Sequence, residues 1–273
     1  MHSYVFPGDL DKEIAAVGSQ PIPYMRTEEF SKINLESERI LLDLIHCHGG
    51  RTIIYTGSGT GAMSAVVENY VSTKGKALAI NGGSFGRRWV SLCEYYGVPV
   101  VDFKVPFAKD IDYDELERTV EAERPEVFLC QHHETSTGQI FNLEKISGIC
   151  HRHNVSLVVD VISTFLAEEL DMDALGIDIC VTSTQKGLNI PPGLSILFIS
   201  KRLEGYEYAH RGYYWDFEDN LGNLKRGQTP FSPATLIYLQ LNARLRQLQA
   251  QGGEMYNISQ VRHRAEVFRE ECR

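Results

Sequence analysis

The sequence predicts an α/β protein with a mainly parallel sheet sheathed by helices. Short runs rich in β-branched residues recur through most of the chain, with helical patterns between them. Those runs carry apolar residues on both faces, as strands covered on both sides do. With 273 residues, 43% of them hydrophobic, the chain can bury one large core.

Apolar residues at Ile40, Leu41, Leu44 and Ile45 predict a helix over 36–47. A strand over 52–55 leads through a glycine-rich turn into a helix carrying Met63, Val66, Val67 and Tyr70. Strands then follow at 77–80, 98–103, 126–130, 155–159, 177–181 and 194–199. Helices at 85–96, 113–123 and 143–153 stand between the earlier ones. After Lys201 the texture changes, and 212–217 and 225–233 read as ordered loops rich in aromatics and turn residues. Ser232-Pro233 marks the start of another helix, a capping residue followed by proline, with Ile237, Leu241, Leu245 and Leu248 on one face. A last helix starts around 253–256 and runs to the C-terminus.

The formal charge of −9 and a pI near 5.5 leave no basic footprint for nucleic acid. No apolar run approaches the roughly 20 residues that a membrane helix needs. Met1–Asp9 lacks the regions of a signal peptide, and six cysteines fit buried, reduced thiols in a cytoplasmic protein. His46-Cys47-His48 and Cys150-His151-Arg152-His153 have no paired ligands at zinc spacing, so no metal is expected.

In open α/β sheets ligands collect at the carboxyl ends of strands, where Gly57, Asp160 and Lys186 are expected. Thr56-Gly-Ser-Gly-Thr-Gly-Ala62 joins a strand to a helix, so its amides and the helix N-terminus suit an anion, with Ser58 and Thr60 as hydroxyl donors. A dinucleotide would call for a carboxylate about 20 residues on. The next strand ends in Asn81 without one, which favours a monophosphate cofactor over a dinucleotide or a plain turn. Lys186 and Asp160 suit pyridoxal phosphate (PLP), the lysine as its Schiff-base partner and the aspartate as the partner of its pyridine nitrogen. Phe85 could stack on the ring and Thr135 could bond a ring substituent. Each residue has a bland alternative as core aromatic, loop hydroxyl, cap or surface charge. The set carries the argument.

Ser58-Gly59-Thr60, Asn81-Gly through Phe85-Gly86 to Arg88, Glu134-Thr-Ser-Thr-Gly138, Val159-Asp160, Ser183-Thr-Gln-Lys186 and Pro191-Pro-Gly193 together are highly specific. Through them, from about Pro7 to about residue 250, the chain resembles the class V (fold-type I) PLP-dependent aminotransferases. The resemblance is to the alanine–glyoxylate, serine–pyruvate and 2-aminoethylphosphonate branch. It implies a three-layer αβα large domain over 31–250, an N-terminal arm over 1–30 and the start of an interdomain helix over 251–273. It further implies that Ser58, Gly59, Thr60 and Gln185 hold the phosphate, and that Phe85 and Ile162 face the two sides of the ring. Thr135 would contact the ring oxygen. A homodimer is implied, in which Thr229, and less surely Arg226, reaches the neighbouring site.

The implied reaction moves an amino group from a small amino acid or aminophosphonate to a 2-oxo acid, with Lys186 as base, its pKa lowered by apolar, cation-rich surroundings. A catalytically impaired PLP-binding relative, or another PLP enzyme such as a lyase or desulfurase, is the alternative. Desulfurase relatives place a histidine before the lysine, where this chain has Gln185. Family members continue into a small C-terminal domain whose arginine binds the substrate carboxylate, and no arginine of this chain matches it. A large domain left uncovered there would expose apolar surface.

Overall fold

Alternate residues of the central strands pack into two separate cores, one on each face of the sheet. Leu78, Phe128, Cys130, Leu157 and Val159 join one, while Ala77, Ala79, Val127, Leu129 and Val158 join the other. Side chains alternate across a strand, so this division builds three layers. The computed structural model describes residues 8–209 and 212–272. Met1–Pro7 of the expected arm and the terminal Arg273 lie outside the described residues.

In chain order the strands are β1 (Arg51–Thr56), β2 (Ala77–Asn81), β3 (Val100–Lys104), β4 (Val127–Gln131), β5 (His133–Glu134), β6 (Gln139–Ile140), β7 (Ser156–Asp160), β8 (Ile179–Ser183) and β9 (Leu194–Ile199). The helices are α1 (Lys12–Val17), α2 (Glu28–Leu44), α3 (Gly59–Asn69), α4 (Gly86–Tyr96), α5 (Tyr113–Glu123), α6 (Leu143–Arg152), α7 (Phe217–Leu224), α8 (Thr235–Gln251) and α9 (Gly253–Glu271). Seven strands form one sheet in the order β1-β9-β8-β7-β4-β2-β3, and β5 and β6 form a small hairpin. Pairing is parallel from β8 through β3, and β9 runs antiparallel to both of its neighbours. The strand exits Thr56, Asn81, Gln131, Asp160 and Ser183 therefore share one edge of the sheet. One face is covered by Ile40 and Leu41 of α2, Leu116 of α5, Ile146 of α6 and Leu241 of α8. The other carries Met63 and Val66 of α3, Trp89 and Cys93 of α4 and Phe217 of α7.

Several boundaries differ from expectation. α2 begins at Glu28 rather than Glu36, because Thr27 accepts the Phe30 N–H and two glutamates follow in the first turn. α8 begins at Thr235, not at Ser232-Pro233. The Ala234 N–H donates instead to Thr56 Oγ1 at the end of β1, which holds the preceding turn extended. β8 covers 179–183 rather than 177–181. Its polar Thr182 and Ser183 stay in register with Ile196 and Ser195 of β9 and are buried. α7 forms between the two segments that read as loops, capped by Asp216 accepting the Asp219 N–H. Cys47, Cys93, Cys130, Cys150 and Cys180 are buried thiols and Cys272 is exposed. Among the described residues no helix is long and apolar enough to cross a membrane.

Candidate active site

β1 ends at Thr56, and the chain turns through Gly57 and Ser58 into α3. The Gly57 N–H donates to the Gly193 carbonyl, pinning the turn to the loop that leaves Lys186. Gly59 lies so close to Ile162 that an added Cβ would sit 2.4 Å from its Cδ1 and 3.4 Å from Ser183 Oγ. A side chain here would displace the end of Ile162, which the glycine lets pack onto the turn. Ser58 occupies the cap position of α3 but makes no side-chain capping bond, so the first turn of the helix is left uncapped by its hydroxyl, as an anion site requires. Ser183 Oγ, buried beside the turn, has no hydrogen-bond partner among the described residues.

Asp160 ends β7 with 6% exposure, and its Oδ1 accepts the Ile162 N–H at 2.8 Å. Burial pushes its carboxyl up to about 7; the charges of Arg88 and Lys186 pull the other way and that of Glu134 adds to the rise. Lys186 follows β8 in a half-buried loop. The Thr184 hydroxyl donates to the Pro191 carbonyl at 2.8 Å, and the Ile190 N–H donates to the Thr184 carbonyl. Gly187 closes the fit, since a Cβ there would stand 2.1 Å from the Phe165 carbonyl oxygen. Gly187→Ala is expected to destabilise the fold by about 1–3 kcal/mol. An unchanged thermal midpoint would contradict this packing. Burial lowers the Lys186 pKa while the Asp160 charge raises it. That corrects the expectation of cation-rich surroundings: desolvation does the lowering, against its charged neighbour.

Glu134, fully buried, holds the third wall. It accepts from the Phe85 and Gly86 N–H groups at the start of α4, from Gln131 Nε2, and from the Ser136 N–H and hydroxyl. A carboxylate at a helix N-terminus is the favoured arrangement. It fixes Phe85, whose ring lies 4.9 Å from the Arg88 guanidinium. Arg88 Nη1 also donates to Thr60 Oγ1 at 3.0 Å, tying the stacking aromatic to the glycine turn. Thr135 Oγ1 reaches Ser163 Oγ at 3.3 Å.

Ser58, Gly59, Thr60, Phe85, Thr135, Asp160, Ile162, Gln185 and Lys186 thus lie around one set of strand exits. Gln185 is placed there by its chain neighbour, and its side chain is half buried. Thr229 is apart. Its hydroxyl donates to the Phe231 carbonyl at 2.7 Å, and it lines a small cavity with Tyr55, Thr56, Tyr214 and Pro233 that includes none of the other nine. The turn before it is anchored to α2, with Gln228 Nε2 donating to Ser31 Oγ and Asn34 Nδ2 donating to the Gly227 carbonyl. Sequence reasoning gave no role to Arg88, Glu134, Ser183 or Trp215. The Trp215 indole covers Gly57 and Gly61, and a Cβ on Gly61 would meet it at 2.9 Å. Hydrogen bonds from Tyr55 and Asn69 to the Trp215 carbonyl hold it there. Only the Phe85–Arg88 helical spacing carried a local signal. A larger open cleft of about 1400 Å³, lined by Arg124, Glu126, His153 and Arg202, contains none of the predicted site residues.

Residues 15–208 match the family model described as aminotransferase class V. The chain belongs to this family. It is 30% identical over 247 residues to the soluble hydrogenase small subunit of a Synechococcus strain, covering 88% of this chain and 64% of that protein. It is 31% identical over 258 residues to the serine–glyoxylate aminotransferase of Hyphomicrobium methylovorum, covering 90% and 63%. The solved aspartate aminotransferase of subgroup IV from Thermus thermophilus superposes with a TM-score of 0.86 at 26% identity, covering 93% and 71%. The chain therefore spans a little under two thirds of the length of these two curated relatives. Fold-type I, three layers with a mainly parallel sheet, is the architecture of the class-V chain.

The family implies PLP as cofactor, and the residues present fit it. Asp160 is a buried carboxyl whose second oxygen a pyridine N–H would satisfy. Ser183 Oγ and the open first turn of α3 suit phosphate oxygens. Phe85 and Ile162 come from different elements toward the same turn.

Proposed function

We propose that this class-V chain is a PLP-dependent aminotransferase that moves an amino group from a small amino acid or aminophosphonate to a 2-oxo acid. The observation that carries this reading is the pairing of a buried, charge-disfavoured Asp160 with a half-buried Lys186 of lowered pKa across neighbouring strand exits. PLP, when bound, supplies an electron sink for the charge left when the α-proton departs. Asp160 keeps the pyridine nitrogen protonated. Phe85 and Ile162 hold the ring flat between them. Ser58, Gly59, Thr60 and Gln185 grip the phosphate, and Thr135 contacts the ring oxygen. Lys186 Nζ would take the α-proton of the donor and deliver it to the cofactor carbon, and desolvation favours the neutral amine that this requires.

The assembly in this reading is a homodimer in which Thr229 reaches the partner's phosphate. Thr229→Ala is expected to weaken PLP retention several-fold in a dimer; unchanged retention, measured by cofactor absorbance after gel filtration, argues against it. In this reading the cofactor domain spans 31–250, and α9 lies beyond it. The buried thiols support a cytoplasmic setting.

Half-reactions test the activity. The absorbance band of the purified holoprotein is followed on adding alanine, serine, aspartate and 2-aminoethylphosphonate in turn. At least one should bleach it. A band that survives all four with the cofactor attached sinks the aminotransferase reading.

A further inference from the structure

His133 stands at the same strand exits with no task in the reaction above. It opens β5, next to Glu134 and one residue from Thr135. Neighbouring residues in an extended chain face opposite ways. Glu134 turns to the start of α4, whereas His133 and Thr135 both turn to Ser163. Ser163 Oγ lies 2.9 Å from His133 Nδ1 and takes the Thr135 hydroxyl hydrogen at 3.3 Å. A serine hydroxyl carries one hydrogen and two lone pairs, so with Thr135 donating to one lone pair that hydrogen can go to Nδ1. In that arrangement the imidazole proton resides on Nε2. Nε2 makes no hydrogen bond among the described residues, and the ring is half buried rather than sealed.

The groups whose charges act on the ring are Glu134, Lys186 and Glu168. Burial first, and then the Lys186 charge, lower the imidazole pKa against the two carboxylates, so the ring stays uncharged beside the lysine. An anion brought to these strand exits meets a partly desolvated imidazole there.

Building on the aminotransferase reading, we propose that His133 is a specificity-determining residue whose Nε2–H, aimed by Thr135 and Ser163, receives the anionic group of the amino donor at Lys186. Carboxylate and phosphonate donors share that chemistry, and their relative losses show which one the site prefers.

The experiment uses the holoprotein in wild-type, His133→Phe, His133→Asn and Ser163→Ala forms. Propionate binding by titration calorimetry reads the anion contact without turnover. A hydrogen bond to a charged group corresponds to about a ten- to hundredfold change in affinity. His133→Phe is expected to weaken propionate binding at least tenfold, His133→Asn to recover part of it, and Ser163→Ala to fall between. The KM for alanine or 2-aminoethylphosphonate should rise in step, by more than kcat falls, with the cofactor band retained. Wild-type propionate affinity in His133→Phe overturns the proposal, as does a wild-type holoprotein that does not bind propionate. Discrimination of propionate without any half-reaction in the wild type would remove the aminotransferase reading and leave the anion contact standing.

Discussion

Lys186→Ala is expected to reduce turnover by at least about four orders of magnitude while leaving the fold intact. General-base help alone is worth about 10²–10⁴ in rate, and this lysine has a second role as the covalent anchor of the cofactor. The structure separates chemistry from stability at this position. The loop is held by the Thr184 hydroxyl on Pro191 and by the close seat of Gly187 on Phe165. Desolvation of the half-buried ammonium works against the folded state, since its folded pKa is lowered. Its removal should therefore leave the thermal midpoint level or slightly raised. Borohydride treatment followed by peptide mass mapping gives the readout. Wild type should carry the reduced cofactor on the peptide containing residue 186, and Lys186→Ala should carry none. Covalent label elsewhere in wild type, or near-normal turnover in the variant, would reject the assignment.

The layered sheet was legible because its evidence is local. A run such as Leu157–Val159 is apolar at successive positions, and only a strand covered on both faces uses such a run. The order of the strands was not legible, nor was the antiparallel β9, because pairing joins residues far apart in sequence. Within the site, Asp160 and Lys186 announced themselves as lone charges at the ends of apolar strands. Glu134 did not. Its task, capping α4 nearly fifty positions earlier, exists only after the hairpin has folded against that helix. Trp215 was hidden for the same reason, since a tryptophan in a loop gives no hint that it covers two glycines from the other end of the domain. α7 escaped because its first turn follows an aromatic cluster that reads as irregular. The lysine environment was misread through chemistry rather than topology. A low pKa suggests neighbouring cations, but burial alone suffices against an opposing carboxylate.

Asp160→Asn is expected to raise the stability of the cofactor-free protein and to reduce turnover by about a thousandfold. The unperturbed carboxyl titrates at 3.8, and burial moves it up to about 7 in the fold. A folded pKa above the unfolded one means that the native state binds the proton more tightly. The group is therefore harmless below pH 3.8, and its burden grows as pH rises from there to about 7, after which it is constant. That rise corresponds to about 4 kcal/mol of disfavoured charge, and relaxation in the variant should return about half of it, or several degrees of thermal midpoint at pH 8. The asparagine Oδ1 can still accept the Ile162 N–H, so that backbone donor keeps its partner. At pH 4 the two proteins should melt together. With cofactor the sign reverses, because the carboxylate then faces a protonated pyridine nitrogen and its charge becomes an asset, which asparagine cannot supply. Thermal melts of both proteins across pH 4–8, with and without PLP, read the whole cycle. An Asp160→Asn protein that is less stable without cofactor and equally active with it would show that the aspartate is a structural cap and that the ring is held by other means.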